Sequence, residues 1–533
     1  MSTAFNRIFR FVRLISLLAM LTIFCSACAS QSSIAPLATA TPKTPTPTPA
    51  PTKNAFVTIG SQAIAEAVSP DFVGFSIEPG HLCELLDLER HSSTLVHLYE
   101  NLHPEIIRIG GTSQDSAKWS PDQPCSGLTF GKSTIINLFN FAQQVNARVI
   151  WGVNLRTASL ADIADEAHTV VALGGARVLG LELGNEPNKW TKETEASYQR
   201  LWEAAAAAIV KKTPGAPLVG PGLSFFYPPT SWFTQFVKAE RIRLVRVTYH
   251  AYPLAYNAPP GSNKYPSISN LLSAGVMSRL STGLSAAVSI TNANHLPLVI
   301  EESNTMAGGN LPSVSDAFAD SLWVADFLFT AAEHNVRAVE IHGNGGASSN
   351  DASSPLELDT STKTPYARPI YYGMLLFHTA VGSGGTPLQA QVTSQVNLAV
   401  HALVNTNGNV QVVFINKDQH YAAQTSVTLG GTAVYGKAHA ITLVAPSVYT
   451  TRNIKLGGAS VASDGSWHTQ NVETIPLNGK SFALTIPPAS AILVTLVRSA
   501  QLAQLAQKHS AGYEFPLAGP DKDIDVRTKS FLK

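Results

Sequence analysis

From Phe72 onward, short apolar runs alternate with longer stretches in which apolar residues recur every three to four positions. The short runs predict strands at 72–77, 105–109, 147–153, 177–183, 217–220, 244–250, 297–301 and 337–342. The longer stretches predict helices, among them 84–101, 133–145, 159–173, 194–212, 267–288 and 314–334, and another near 369–381. Eight strand-then-helix units of this length predict an α/β fold, a (β/α)8 TIM barrel over 54–382. A doubly wound open sheet is the main rival, but no Gly-x-Gly-x-x-Gly follows the first strand.

After the barrel the period changes. Segments such as 397–403, 409–415, 425–429, 438–444 and 482–486 alternate or run apolar between Gly, Asn and Pro turns, with no helix-length pattern. They predict a C-terminal antiparallel β-sandwich over 383–498. Residues 54–70 also carry a strand pattern and can join that sandwich, which would make it discontinuous. Residues 499–533 read as a polar tail.

The N-terminus changes the picture of where the protein works. Arg7, Arg10 and Arg13 precede a short apolar run from Leu14 to Phe24, and small residues follow, so 1–28 reads as an export signal. Ala27-Cys28-Ala29 fits a signal cleavage site, whereas Ser26-Ala27-Cys28 resembles a bacterial lipobox in which Cys28 would be lipidated. Both outcomes imply export, one with a lipid anchor to a bacterial membrane and one with release. Residues 29–53 form a Pro/Thr-rich linker without apolar periodicity. In an oxidising compartment Cys83 and Cys125, both in early barrel loops, can pair or remain free thiols.

Charge adds an exclusion. With 37 basic and 36 acidic residues and no Lys/Arg run, the chain has no nucleic-acid footprint. No metal-ligand spacing stands out, since His342 has no partner at such a spacing, and no cofactor is implied.

Active residues of TIM barrels project from the C-terminal ends of strands. The fourth strand runs into Gly184-Asn185-Glu186-Pro187-Asn188 and the seventh into Glu301-Glu302-Ser303-Asn304. Two carboxylates at opposite sides of the mouth suit a retaining glycosidase, with one protonated as acid and the other ionised as nucleophile. Asn185, beside the acid, suits a hydrogen bond to the sugar 2-OH. Alternation along the seventh strand lets only one of Glu301 and Glu302 point into the mouth, and it leaves open which. Asp115, Asn154, His342 and Asn344 are weaker strand-end candidates.

The segment Leu183-Gly184-Asn185-Glu186-Pro187-Asn188, the Arg108-Ile109-Gly110-Gly111-Thr112 stretch and Glu302-Ser303-Asn304 together resemble glycoside hydrolase family 79, which includes β-glucuronidases and heparanase. The resemblance covers roughly 55–497 and implies a barrel with a distal β-sandwich. It implies Glu186 as acid/base and Glu302, rather than Glu301, as nucleophile. It also implies His250, Tyr252, Glu78 and Thr112 as sugar contacts, and a uronate carboxylate subsite from Gly308, Gly309 and Tyr371. Glycines present backbone N–H groups to an anion without a side-chain clash. Two departures stand out. Ala307 occupies a position where the family often has Tyr, and no basic cluster for sulfated chains accompanies the motifs beyond Lys189, Lys192, Arg241 and Arg243. The expectation is an exo-acting β-glucuronidase on a glucuronic-acid-containing glycan or glucuronide. A related glycosidase on another sugar and a non-catalytic carbohydrate-binding protein are the rivals.

Overall fold

A computed structural model of the chain describes residues 50–499, apart from 71, 91, 192 and 225–228. Cys28, the signal, most of the linker and nearly all of the tail lie outside the described residues. Eight parallel strands close into a barrel: β1 (Val73–Ile77), β2 (Ile106–Ile109), β3 (Arg148–Val153), β4 (Val178–Leu183), β5 (Leu218–Leu223), β6 (Leu244–Ala251), β7 (Leu298–Ser303) and β8 (Ala338–Gly343). All eight fall where the apolar runs predict them. The sequence pattern merges two helix pairs that the chain breaks: 84–101 is Leu82–Glu89 plus Ser93–Glu100, and 267–288 is Ile268–Leu271 plus Ala274–Asn292. The second break is chemical, because the Ser273 side chain accepts the Val276 N–H and starts a new helix.

The barrel interior is layered. Ile106, Ile150, Leu179, Val219, Val299 and Ala338 form a buried apolar plug. Two residues further along their strands stand Arg108, Glu301 and Glu340, buried and facing the same interior. The helix-facing sides of the strands belong to the large core shared with the surrounding helices.

The second region is a ten-stranded sheet with Thr52–Ala63 inside it, so the small domain is discontinuous. Thr52–Ala63 runs antiparallel to Gly385–Ser394 and parallel to Ala422–Leu429, so the sheet is antiparallel-rich rather than wholly antiparallel. It folds over its own core: the rings of Phe414 and Phe482 sit 6.4 Å apart although their strands are separated by four others.

The sheet is clamped to the barrel by buried charge. His401, on strand Leu398–Asn405, donates from Nδ1 to Glu333 (2.8 Å) and from Nε2 to Asp326 (2.9 Å), both on helix Phe318–Glu333. Lys417 Nζ meets the other Asp326 oxygen at 2.5 Å, and Phe329 stacks on the imidazole. Burial alone would lower the His401 pKa, but Glu333 and Asp326 raise it to about 10. Cys83 and Cys125 are joined as a disulfide, with Cα atoms 5.4 Å apart; Cys83 lies in helix Leu82–Glu89 rather than a loop, so the bond ties that helix to the loop after β2.

Two stability predictions follow from these ties. His401 should contribute its full stabilisation below about pH 6.5, its ordinary pKa, and lose it as pH rises toward about 10. The variant His401→Leu should cost about 3 kcal/mol at neutral pH and flatten the alkaline fall in melting temperature. An unchanged melting profile between pH 6 and 10 would contradict the clamp. Opening the 42-residue Cys83–Cys125 loop by Cys125→Ser should lower unfolding free energy by about 3–4 kcal/mol on the chain-entropy view, read by denaturant titration.

Candidate active site

β2 places one guanidinium at the centre of the mouth. Arg108 is wholly buried, the cationic residue in the otherwise apolar strand Ile-Ile-Arg-Ile. Its Nε donates to Glu182 Oε2 (2.9 Å), Nη1 to Glu302 Oε2 (2.9 Å) and Ser76 Oγ (2.9 Å), and Nη2 to Asn185 Oδ1 (2.8 Å). Glu301 lies 3.6 Å from Nε. Arginine suits this place because its planar fork offers five donors in fixed directions.

Glu302 projects from the end of β7. Tyr252 Oη donates to its Oε1 at 2.6 Å and Arg108 holds Oε2. Burial pushes the Glu302 carboxyl up, but His250, His342 and Arg108 outweigh it and hold the group well below the usual carboxylate range. Glu186 follows β4 in left-handed backbone (φ 45°, ψ 51°) and opens a 3-10 turn, Pro187–Lys189. His250 Nδ1 donates to Glu186 Oε1 at 3.0 Å, and Lys189 Nζ sits 2.5 Å from Oε2. Burial raises the Glu186 pKa, yet His250 and Lys189 bring it below its ordinary value in the resting site. His250, fully buried, is pulled down by burial and raised by Glu302, Glu186 and Glu301 to about 10, so it is an imidazolium.

Donor atoms of Glu186, His250 and Glu302 all lie within 4.8 Å of one another, so a Glu186 and a Glu302 oxygen are that close. Glu182, His250 and Glu301 form a second such group. Arg108 is already paired with Glu182, Glu301 and Glu302 of these two groups.

The sequence-predicted residues divide into those the fold brings together and those it does not. Asn185, Glu186, His250, Tyr252 and Glu302 share one hydrogen-bonded cluster. Glu78 lies beside it; one oxygen accepts the Ser113 N–H and the other has no hydrogen-bond partner among the described residues. A Cβ on Gly111 would fall 1.6 Å from that free oxygen, so only glycine leaves it room. Thr112 is exposed on the turn after β2. Gly308 and Gly309 follow the short strand Met306–Ala307, which pairs with Leu254–Ala255 just beyond Tyr252. Gly309 lies against the Tyr256 ring, where a Cβ would come within 3.0 Å.

Tyr371 is not part of this cluster. It lies in helix Pro369–Val381, fully buried, donating to the Leu98 carbonyl (2.7 Å) and accepting from Asn101 (3.1 Å). Its hydroxyl is committed to the outer helical layer and does not join the glycine pair. Among the weaker candidates, Asn154 and Asn344 cap their own loops, and Asp115 receives Trp190 Nε1 (2.7 Å) and the Asn185 N–H (3.3 Å). His342 shares a hydrogen bond with Ser76 Oγ and lies 3.9 Å from Glu302.

Simple alternation also fails on β7. Its pairing with both neighbours shifts register between Ile300 and Ser303. The irregularity lets Glu301 face the barrel interior while Glu302 turns toward the mouth. Sequence reasoning passed over the work of Arg108 and Glu182; the available signal was a charge in the middle of each apolar strand.

No family model matches the chain. The β-glucuronidase of Aspergillus niger is 25% identical over 320 residues, which span 51% of this chain and 58% of that protein. The heparanase-like protein 2 of Arabidopsis thaliana is 23% identical over 402 residues, 68% of this chain and 71% of that one. Among solved structures, a Fusarium oxysporum 4-O-α-L-rhamnosyl-β-D-glucuronidase superposes with TM-score 0.67 at 19% identity, covering 82% of this chain and all of that one. A family 51 arabinofuranosidase from Xanthomonas axonopodis pv. citri gives 0.62 at 15%, covering 83% and all of that chain. These superpositions speak to the fold, a barrel with an appended sheet. The barrel and the two sequence relatives together support a likeness to glycoside hydrolase family 79, at low identity.

Proposed function

We propose that the chain is a retaining glycoside hydrolase and, more narrowly, an exo-acting β-glucuronidase. The observation that carries the first part is the pair of carboxylates on β4 and β7 with oxygens within 4.8 Å. Retaining enzymes hold their carboxyl groups about 5–5.5 Å apart, whereas inverting ones need about 6.5–9.5 Å to admit a water.

Glu302 is the nucleophile. Arg108 and Tyr252 keep it ionised and fix its orientation, so an oxygen lone pair is available to the anomeric carbon. Glu186 protonates the departing oxygen. Esterification of Glu302 then removes a negative charge beside Glu186, which favours the carboxylate that must next take a proton from water. Glu78, with one free buried oxygen, and Asn185, oriented by Arg108, suit the sugar hydroxyls.

Glucuronide preference is supported by the two sequence relatives and by Gly308 and Gly309 at the rim near Tyr252. With Tyr371 elsewhere, the uronate carboxylate would be met by backbone donors at the glycine pair. The same reading makes the protein exported, anchored through a lipid on Cys28 or released, and acting on glucuronic-acid-containing glycans or glucuronides.

Glu302→Gln should lower hydrolysis of an aryl β-glucuronide on the order of 10³-fold or more, with the fold retained by circular dichroism. A panel of aryl glycosides on the wild type tests the sugar; faster turnover of a glucoside or arabinofuranoside than of the glucuronide would sink the narrower assignment. Glu186→Ala should cost roughly 10²–10⁴-fold on a substrate with a poor leaving group and much less on a dinitrophenyl one. Azide should restore turnover in that variant and give a glycosyl azide of retained configuration. Equal losses on both substrates, or an inverted first product by NMR, would contradict the assigned roles.

A further inference from the structure

Lys189 is placed where the catalytic reading alone would not require a cation. The turn Glu186-Pro187-Asn188-Lys189 is 3-10, closed by the Lys189 N–H on the Glu186 carbonyl at 2.8 Å. The single turn brings Lys189, three residues on, back beside the acid. The turn is pinned from β5: Asn188 accepts the Ser224 N–H (3.0 Å) and donates to the Ser224 carbonyl (3.3 Å). Lys189 Nζ reaches Glu186 Oε2 at 2.5 Å, and the two side chains are 43% and 10% exposed, so the ammonium is the solvent-facing member.

The other Glu186 oxygen is taken by His250, which is fully buried and held by Glu301 and Glu302 as well. A proton for the leaving group must therefore sit on Oε2, the oxygen Lys189 now occupies. The groups facing Glu186 are His250 from β6, Tyr252 just past β6, Glu302 from β7 and Lys189 from its own turn. Only Lys189 is exposed enough to leave. Glu186 marks the leaving-group side of the scissile bond, so Lys189 stands on that side too.

We propose that Lys189 is a specificity residue for an anionic leaving group, which draws the ammonium off Glu186 and lets that carboxylate take up its proton. The inference rests on the assignment of Glu186 as acid/base. The step is an exchange of ion pairs: Lys189⁺ passes from the Glu186 carboxylate to a carboxylate on the leaving group, and Glu186 gains one proton from solvent. Because the lysine sits on the leaving-group side, the site selects for charge on the group expelled, independently of the sugar retained.

The test compares two substrates of the preferred sugar, one with a 4-carboxyphenyl leaving group and one with its methyl ester. The wild type should show a KM roughly fivefold lower for the carboxylate. Lys189→Met should bring that ratio to about one, and Lys189→Arg should preserve it. On the ester, the alkaline limb of the kcat/KM profile should move up by about one pH unit in Lys189→Met, since loss of a neighbouring cation lets Glu186 keep its proton to higher pH. Persistence of the KM ratio in Lys189→Met, or an unmoved alkaline limb, would overturn the inference while leaving the glycosidase reading intact. Failure of the wild type to cleave either substrate or any member of the glycoside panel would overturn both.

Discussion

A single buried cation organises the mouth of this barrel. Arg108 contacts Glu182, Glu301, Glu302 and Asn185, which come from β4, β7 and the turn that carries Glu186. Burial of an isolated guanidinium is costly, and so is burial of each carboxylate, so neither side of the network persists without the other. Burial pushes Glu182 far up, with Glu301 beside it adding to the effect, while Arg108 and His250 bring Glu301 below its ordinary value. Three formal negatives, Glu186, Glu301 and Glu302, then face Arg108, His250 and the more exposed Lys189. The proposed catalytic pair belongs to the same charge balance as the buried groups of the barrel interior.

That balance holds both proposed catalytic carboxylates below their ordinary pKa. In its proposed role as nucleophile Glu302 gains from this, because Arg108 and Tyr252 already favour its ionised form. An acid does not, and the difference lies in exposure. Glu302 is gripped by buried Arg108 and Tyr252, whereas one oxygen of Glu186 is gripped by a lysine that stands in solvent. The asymmetry supports the proposed roles, since the one oxygen of Glu186 not held by His250 is covered by a half-exposed side chain.

The appended sheet contributes at a distance. Its His401 and Lys417 clamp helix Phe318–Glu333, which follows β7 after the loop bearing Gly308 and Gly309. At its start the same helix donates the Phe318 and Ala319 N–H groups to the carbonyls of Thr450 and Val448. The helix that follows the β7 loop is thus held at both ends by the second domain.

The strands were legible because a barrel strand is short, apolar and β-branched, and those properties are local. The position of Glu186 and Glu302 at strand ends was legible for the same reason. The helix break at 272–273 was not, because the Ser273 side-chain cap competes with an otherwise continuous apolar period. Glu301 against Glu302 could not be decided by alternation, since the β7 register shift is a property of pairing with β6 and β8 and has no sign in one strand's residues. Tyr371 shows the converse: a tyrosine at a suggestive position whose hydroxyl was claimed by Leu98 and Asn101, 273 and 270 residues away in sequence. The chain by itself determined which residues carry charge into an apolar barrel; tertiary structure alone decided which of those charges meet, because the energy of a buried charge depends on its partners and these arrive from different strands.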